Sequence, residues 1–177
     1  MLLIVAAVPL ETTLLPQQLQ GCQTEPLGSC QIFSGTLHSQ QIWLAHSGVG
    51  QNAMAIQLTR LLERFSPQAV LLCGCGGSYS DSGLQNGDLA LASEEICGDL
   101  GVATENCFIP LEQLKIPQQP ELMPTSRQSY PLQSELTDLA QRVLPQAHFG
   151  AFVSVNCCSG HETLSDEVQN RTGGICE

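Results

Sequence analysis

The chain has 177 residues, 42% of them hydrophobic, and a formal net charge of −11 with Lys115 its only lysine. That length suffices for one domain with a real core, and that apolar content excludes a disordered chain. The acidic balance excludes nucleic-acid and anionic-membrane surfaces as partners, because both require basic patches; a small uncharged or polar metabolite fits instead.

Leu2 to Val8 is an unbroken apolar run of strand length, closed by Pro9. No basic residues precede it and Glu11 ends it, so it reads as a first strand and not as a signal peptide or a membrane span; a cytoplasmic protein is expected. Residues Leu10 to Gln20 predict a helix interrupted at Pro16. Glu11 then sits just beyond a strand's carboxyl end. A carboxylate at a helix start is also an ordinary residue that stabilises the positive end of the helix dipole, and the local sequence alone favours that structural reading.

Gln31–Thr36 and Gln41–His46 predict a hairpin joined near His38 and Ser39. Ser47-Gly48-Val49-Gly50 leads into a helix over Gln51–Phe65, where Ala53, Met54, Ile56, Leu58, Leu61, Leu62 and Phe65 recur at helical period. Arg60 and Arg64 lie on its other side and near its end. A glycine-bearing loop at a helix start offers free N–H groups to an oxygen-rich ligand. His46, beside that loop, reads either as a packed polar residue or as a ligand contact.

The chain is organised around Val70 to Glu95. Val70, Leu71 and Leu72 follow one another with no polar residue between them, which predicts a strand buried on both faces, as in a parallel sheet. Gly74, Gly76 and Gly77 come directly after, where the absence of Cβ atoms lets a ligand approach the backbone. In open α/β sheets, ligands bind beyond the carboxyl ends of the strands. Residues 78–87 read as a surface loop and Asp88–Ile96 as the next strand. Pro110, Pro117, Pro120, Pro124 and Pro131 break the following stretch, so residues 109–131 predict a long insertion with little regular structure, of the kind that forms lids or oligomer contacts. Leu132–Leu144 predicts an amphipathic helix with Leu136, Leu139, Ala140, Val143 and Leu144 inward. Phe149–Val155 is a strand ending in the small-residue turn Asn156–Gly160. Glu162–Arg171 is helical, stopped by Gly173, and Gly174–Glu177 begins a further strand. The alternation of strands and helices predicts an α/β fold: a central mixed, mainly parallel twisted sheet flanked by helices, in a single domain over residues 1–177.

The nine cysteines are Cys22, Cys30, Cys73, Cys75, Cys97, Cys107, Cys157, Cys158 and Cys176. Their odd number and their spacing exclude a disulfide framework and a zinc ribbon. Most read as small buried side chains in a reducing compartment; Cys75 is a thiol candidate without a visible base. No carboxylate or histidine cluster has ligand spacing, so neither a metal nor a cofactor is expected.

Four stretches resemble the nucleoside phosphorylase-like superfamily and its nucleosidase branch: IVAAVPLE, HSGVGQNAMA, LLCGCGG and GLQNGDLALASEE, together most of residues 1–97. Ala92-Ser93-Glu94-Glu95-Ile96 followed by Gly98-Asp99-Leu100-Gly101-Val102 resembles futalosine hydrolase more narrowly, although Cys97 stands where that family usually has an aromatic residue. Gly174-Ile175-Cys176-Glu177 is similar to the approach to that family's Asn-Met-Glu-Gly motif. The resemblance implies a nucleoside phosphorylase-like fold that hydrolyses the N-ribosidic bond of futalosine, releasing hypoxanthine, in the futalosine route to menaquinone. Such hydrolysis builds positive charge on the sugar and needs a base that positions water, a carboxylate near the ribose hydroxyls and an acid at the purine.

The family's water-handling glutamate falls on Glu11. Ser47, Gly48 and Val49 match the ribose- and base-side walls, as do Gly74, Cys75 and Gly76. Asn156 and Ser159 lie near the base pocket. The phosphate-binding arginines of phosphorylases have no counterpart: Pro9-Leu10-Glu11 and Leu71-Leu72 occupy those places, and no arginine precedes Arg60. Water is therefore the implied nucleophile.

The resembled family continues past the place of Glu177, with a Met-Glu pair that holds the ribose and an Asp that protonates the purine. The expectation is a chain with its C-terminal strand and helix missing and with little turnover of its own, since loss of a general acid costs roughly 10²–10⁴-fold. Were the chain to turn over as it stands, Glu94, Glu95 and Asp99 are the first candidates for the carboxylate roles. The alternatives are a methylthioadenosine/S-adenosylhomocysteine nucleosidase, which releases adenine, and a non-catalytic nucleoside-binding protein. A purine nucleoside is the expected small-molecule partner, and the resemblance implies a homodimer.

Overall fold

The computed structural model describes residues 1–28, 30–118, 127–132 and 134–177. They form two compact units, Met1–Cys75 and Gly76–Glu177.

In the first unit, β1 (Leu2–Ala6) leads through a 3-10 turn at Pro9–Thr12 and a short helix α1 (Leu15–Gln18) into β2 (Gln20–Leu27), β3 (Cys30–Leu37), β4 (Gln40–His46), helix α2 (Gln51–Phe65) and β5 (Ala69–Leu72). The sheet order is β2-β3-β4-β1-β5. β1 runs parallel to both β4 and β5, with Ala6 opposite His46 and Val5 opposite Leu72. β2, β3 and β4 pair antiparallel. The β3–β4 hairpin turns on His38 and Ser39, whose φ angles of 46° and 67° match the left-handed conformation that tight hairpin turns require.

Successive residues of a strand face opposite sides, and the core divides accordingly. Leu3 and Val5 of β1 pack with Ile32, Ala45 and the α2 residue Leu61, joined by Trp43, Met54, Leu58 and Phe65. Ile4 packs on the opposite side with Leu19, Ile42 and Leu44, joined by Leu15, Phe33 and Cys73. Trp43 and Phe65 stack with ring centroids 4.2 Å apart. Helix α2 spans the predicted residues and ends on Ser66 in the left-handed conformation, whose N–H bonds the Leu62 carbonyl. Arg64 pairs with Glu25 at 3.2 Å.

Three expectations need correcting here. Strand β2 has no apolar alternation and was not foreseen. Pairing with β3 makes it a strand, since a hairpin partner satisfies its backbone whatever its side chains. The helix expected over Leu10–Gln20 is broken into the 3-10 turn and α1. β5 is not buried on both faces: it is the edge strand of its sheet, and Val70, Leu71 and Leu72 are 41%, 48% and 57% exposed. An apolar run sets affinity for cover but not which element supplies it.

In the second unit a 3-10 turn at Ser80–Ser82 precedes β6 (Ala90–Cys97), β7 (Gly101–Ala103), β8 (Phe108–Pro110), α3 (Leu111–Leu114), β9 (Ser129–Pro131), α4 (Glu135–Val143), β10 (His148–Ser154) and α5 (Glu162–Thr172). β6 is the centre of a three-stranded sheet, parallel to β10 and antiparallel to β9. β7 and β8 form a separate antiparallel pair. The tail continues as extended chain beside β10: the Ile175 N–H bonds the Ala151 carbonyl at 2.8 Å and the Val153 N–H bonds the Cys176 carbonyl at 2.9 Å. This close approach depends on Gly174, where a Cβ would lie 2.3 Å from Val153 Cγ2.

Residues 109–131 hold more regular structure than expected, since β8, α3 and β9 fall there; Pro120 and Pro124 lie outside the described residues, as does Gln133. Pro110 and Pro131 end strands β8 and β9 and break neither. Helix α4 starts at Glu135, capped by the Ser134 side chain, which accepts from the Thr137 N–H. Its stripe does not point inward: Leu136, Leu139 and Val143 are exposed, while Ala140 and Leu144 are half-buried. Helical period assigns residues to one face; it does not supply a surface to cover it.

Candidate functional site

Glu11 is the third residue of the 3-10 turn that follows β1. Its carboxylate folds back on its own turn: Oε2 accepts the Val8 N–H at 3.0 Å and Oε1 accepts the Cys75 N–H at 3.1 Å. The glycine loop after β5 permits the second bond. A Cβ on Gly74 would lie 2.6 Å from Glu11 Oε1, so a larger residue there would occupy the carboxylate's place. Partial burial pushes the Glu11 carboxyl up, but bonds from the Val8, Cys75 and Ala7 backbone, with the nearby His46, outweigh it and hold the group below its ordinary 4.5. Glu11 is therefore ionised at neutral pH.

Beside it, Thr12 is buried and its Oγ1 lies 2.8 Å from His46 Nε2. The His46 ring packs edge-on against Phe33, centroids 6.0 Å apart. Burial lowers the His46 pKa against the raising pull of Glu11, so the imidazole is neutral at pH 7. Burial, and then Glu11, pushes the Cys73 thiol up, which keeps it protonated at neutral pH. Cys75 contributes its backbone N–H, and its side chain is exposed. Glu11, Thr13, Leu14, Gln18 and Cys73 help to line an open groove of about 420 Å³.

The loop after β4 continues the β1 pairing, with the Ser47 and Gly48 N–H groups bonded to the Ala6 and Ala7 carbonyls at 2.9 and 3.0 Å. Ser47 is buried and its hydroxyl donates to the Gly48 carbonyl at 2.9 Å. Val49 stands out into solvent at 79% exposure. Gly48 and Gly50 have φ angles of 83° and 98°, which only glycine adopts without strain.

The second unit gathers a cluster around Glu177. Its carboxylate accepts the Tyr79 hydroxyl at 3.0 Å, the Ser159 hydroxyl at 3.0 Å and the Ser159 N–H. The backbones of Glu177 and Gly77 exchange two hydrogen bonds, of 2.8 and 2.9 Å. Gly76 is tight against the Glu177 carbonyl, 3.1 Å from where a Cβ would be. Burial first, then the Glu177 carboxylate, raises the Tyr79 phenol. Asn156 donates its N–H and its side-chain amide to Asp99 Oδ2, the amide at 3.0 Å. The Asn156 amide donors and the Ser159 N–H and hydroxyl are thus already engaged. Glu94 accepts from Ser129 and Glu95 from Ser154; burial raises the Glu95 carboxyl against the Ser154 bond.

Glu11 and both glycine loops lie past strand ends, where the sequence reading expected them; the contacts made by Thr12, Tyr79, Asp99 and Glu177 were not foreseen. Tyr79 and Glu177 are 98 positions apart, and no local pattern joins them.

The parallel strands, with a carboxylate and a glycine loop past the ends of β1 and β5, define an α/β protein; in open sheets of this class ligands bind beyond the strand ends. The model of the Phosphorylase superfamily matches residues 2–168, and this chain belongs to that superfamily. The 5′-methylthioadenosine/S-adenosylhomocysteine nucleosidase of Psychromonas ingrahamii is 35% identical over 91 residues, 51% of this chain and 39% of that protein. The protein of the same name from Tolumonas auensis is 28% identical over 173 residues, 98% of this chain and 62% of that protein. The chain therefore matches less than two thirds of the length of these curated relatives. Among solved structures, the nucleosidase of Neisseria meningitidis in complex with methylthio-immucillin-A superposes with a TM-score of 0.82 at 18% identity, covering 99% of this chain and 73% of that one. A futalosine hydrolase mutant of Helicobacter pylori superposes with a TM-score of 0.79 at 20% identity, covering 99% and 76%. The fold is accordingly a mixed α/β nucleoside phosphorylase-like fold, its mixed sheet flanked by helices. No described helix is long and apolar enough to cross a membrane.

Proposed function

We propose that this chain belongs to a purine nucleosidase that hydrolyses an N-ribosidic bond, with Glu11 holding the attacking water. The observation that carries the reading is the Glu11 carboxylate, fixed by two backbone N–H groups at the edge of an open groove. A carboxylate held below its ordinary pKa is a weak base. It orients water and offsets the positive charge that grows on the sugar, and it takes the proton only as the bond to carbon forms. Pro9-Leu10-Glu11 and Leu71-Leu72 stand where phosphorylases of the resembled family carry arginines, which favours water over phosphate.

Two readings of the substrate remain in view, each on its own observation. The stretch Ala92–Ile96 with Gly98–Val102 resembles futalosine hydrolase and favours futalosine. The names of the curated relatives favour methylthioadenosine or S-adenosylhomocysteine. Chromatography of the released base separates them: hypoxanthine from the first, adenine from the others. The assay is run on residues 1–177 and on a chain extended by the family's Met-Glu and Asp segments, each with a Glu11→Gln control. Base release that the control abolishes supports the reading. No release from any of these substrates by either chain, or release that Glu11→Gln leaves intact, overturns it. The same reading takes the protein as a cytoplasmic homodimer, on the resemblance alone, and the mass in solution tests the dimer.

A further inference from the structure

We propose that His46 is a positioning residue for Glu11, acting through the hydroxyl of Thr12. The inference rests on the nucleosidase reading for its consequence and on geometry for its substance.

The 3-10 turn that carries Glu11 is only four residues long, and such a turn has little intrinsic persistence. Its entry is fixed by the sheet, because the Ser47 and Gly48 N–H groups clamp Ala6 and Ala7. Within the turn the Glu11 N–H bonds the Val8 carbonyl at 3.2 Å, and Thr13 bonds back to the Pro9 and Leu10 carbonyls. These bonds are local and would move with the turn. Among the described residues, only two hydrogen bonds tie Pro9–Thr13 to a distant element. One is the catalytic carboxylate's own bond to Cys75. The other is Thr12 Oγ1 to His46 Nε2 at 2.8 Å.

The anchor is firm at the other end. His46 is the last residue of β4, in register with Ala6 of β1. Its ring is held edge-on by Phe33 of the neighbouring strand β3. Thr12 itself is buried, so its hydroxyl has little access to water as a substitute partner. A neutral imidazole serves either as acceptor of the Thr12 proton or as donor to its oxygen, and the contact persists in both tautomers. The exit of the turn is thus pinned to the same pair of strands that pins its entry. The titratable groups that share its surroundings are Glu11 and Cys73.

The test separates the hydroxyl–imidazole bond from packing and from charge. Thr12→Val keeps volume and deletes the hydroxyl. His46→Phe keeps an aromatic ring and deletes the bond. His46→Gln retains an amide near the place of Nε2. In the chain that turns over, Thr12→Val and His46→Phe each lower kcat about tenfold with KM nearly unchanged, since small misplacement of a reacting group is costly. The double variant loses no more than either single one, because both delete one bond, and His46→Gln recovers most of the rate. In residues 1–177, carbon NMR of the Glu11 carboxyl finds its titration midpoint raised in Thr12→Val and His46→Phe, because a displaced carboxylate loses its backbone N–H partners, while His46→Gln stays nearer the parent. Additive losses in the double variant, or an unchanged Glu11 midpoint in Thr12→Val, overturn the proposal. The NMR readout decides the positioning even where no base is released, so failure of the nucleosidase reading and failure of this inference are distinguishable.

Discussion

Met1–Cys75 and Gly76–Glu177 are held together by different means. In the first unit two apolar clusters flank β1, with Leu3, Val5, Ile32, Leu44 and Leu61 almost wholly buried. In the second, the buried apolar residues are few, among them Tyr79, Ile96, Ala151 and Val153, and much of the definition comes from polar ties: Glu177 with Tyr79 and Ser159, Asp99 with Asn156, Gln128 with the Cys97 carbonyl, and Arg171 with the Gly98 carbonyl. Arg171 also lies over the Phe108 ring, 4.0 Å from its centroid. Apolar burial is non-directional and tolerates local change, whereas a polar tie fixes two particular groups and penalises the loss of either. The first unit is suited to hold a carboxylate on a rigid sheet; the second fixes its turns one hydrogen bond at a time.

The sharpest way to break this comparison is a cavity in the first unit. Leu44→Ala deletes a fully buried side chain and should cost about 3 kcal/mol, read as a fall in Tm of roughly 10 °C. Leu139→Ala on the exposed face of α4 should cost less than about 0.5 kcal/mol. Equal losses in thermal melts would mean that the apolar core is not what distinguishes the first unit.

The polar ties should each matter less. Tyr79→Phe removes one of the three donors to Glu177 and keeps the buried ring, so a loss of about 1 kcal/mol is expected in urea unfolding. A loss as large as that of Leu44→Ala would place the second unit's stability in this one network.

Gly74→Ala tests the glycine loop as a cradle. Its Cβ displaces Glu11 Oε1 from the Cys75 N–H, and the Glu11 midpoint should move up toward 4.5. The sign of the pH effect follows. A carboxyl held low in the folded state contributes stability that is fully present above about 4.5 and is lost as pH falls through the lowered value. The advantage of the parent over Glu11→Gln should fade across that acid window, and Gly74→Ala should narrow it. An unaltered midpoint in Gly74→Ala would separate the loop from Glu11.

The smallest effect is expected at Glu95, a half-buried carboxylate whose pKa is raised mainly by burial. Its ionised form is disfavoured in the folded state, so the parent should be slightly less stable than Glu95→Gln at neutral pH. That deficit should close as pH falls through the raised value toward 4.5. Melts from pH 7 to 4 measure it, and a Glu95→Gln variant less stable at pH 7 would assign the carboxylate a charge-dependent role.

Much of the first unit was legible in the chain. The β1 run, the β3–β4 hairpin and the Gln51–Phe65 helix follow from apolar period and turn residues, which act over a few neighbours. The positions of Glu11 and the Gly74 loop beyond strand ends were readable for the same reason. Which faces are covered was not readable: Val70–Leu72 lies at a sheet edge, and the stripe of α4 looks outward. Pairing was not readable either, as β2 became a strand through β3 and not through its own pattern.

The sequence by itself indicated β1, the β3–β4 hairpin, the Gln51–Phe65 helix and the apolar residues of the core around β1, because propensity and period are local; Glu11 was singled out by the family resemblance. Only the tertiary structure decided that Thr12 meets His46, that Cys75 lends its N–H to Glu11, and that Tyr79 and Ser159 converge on Glu177. Hydrogen bonds across 18 to 98 positions depend on strand register and on the direction of each turn, and both are set when the sheets assemble.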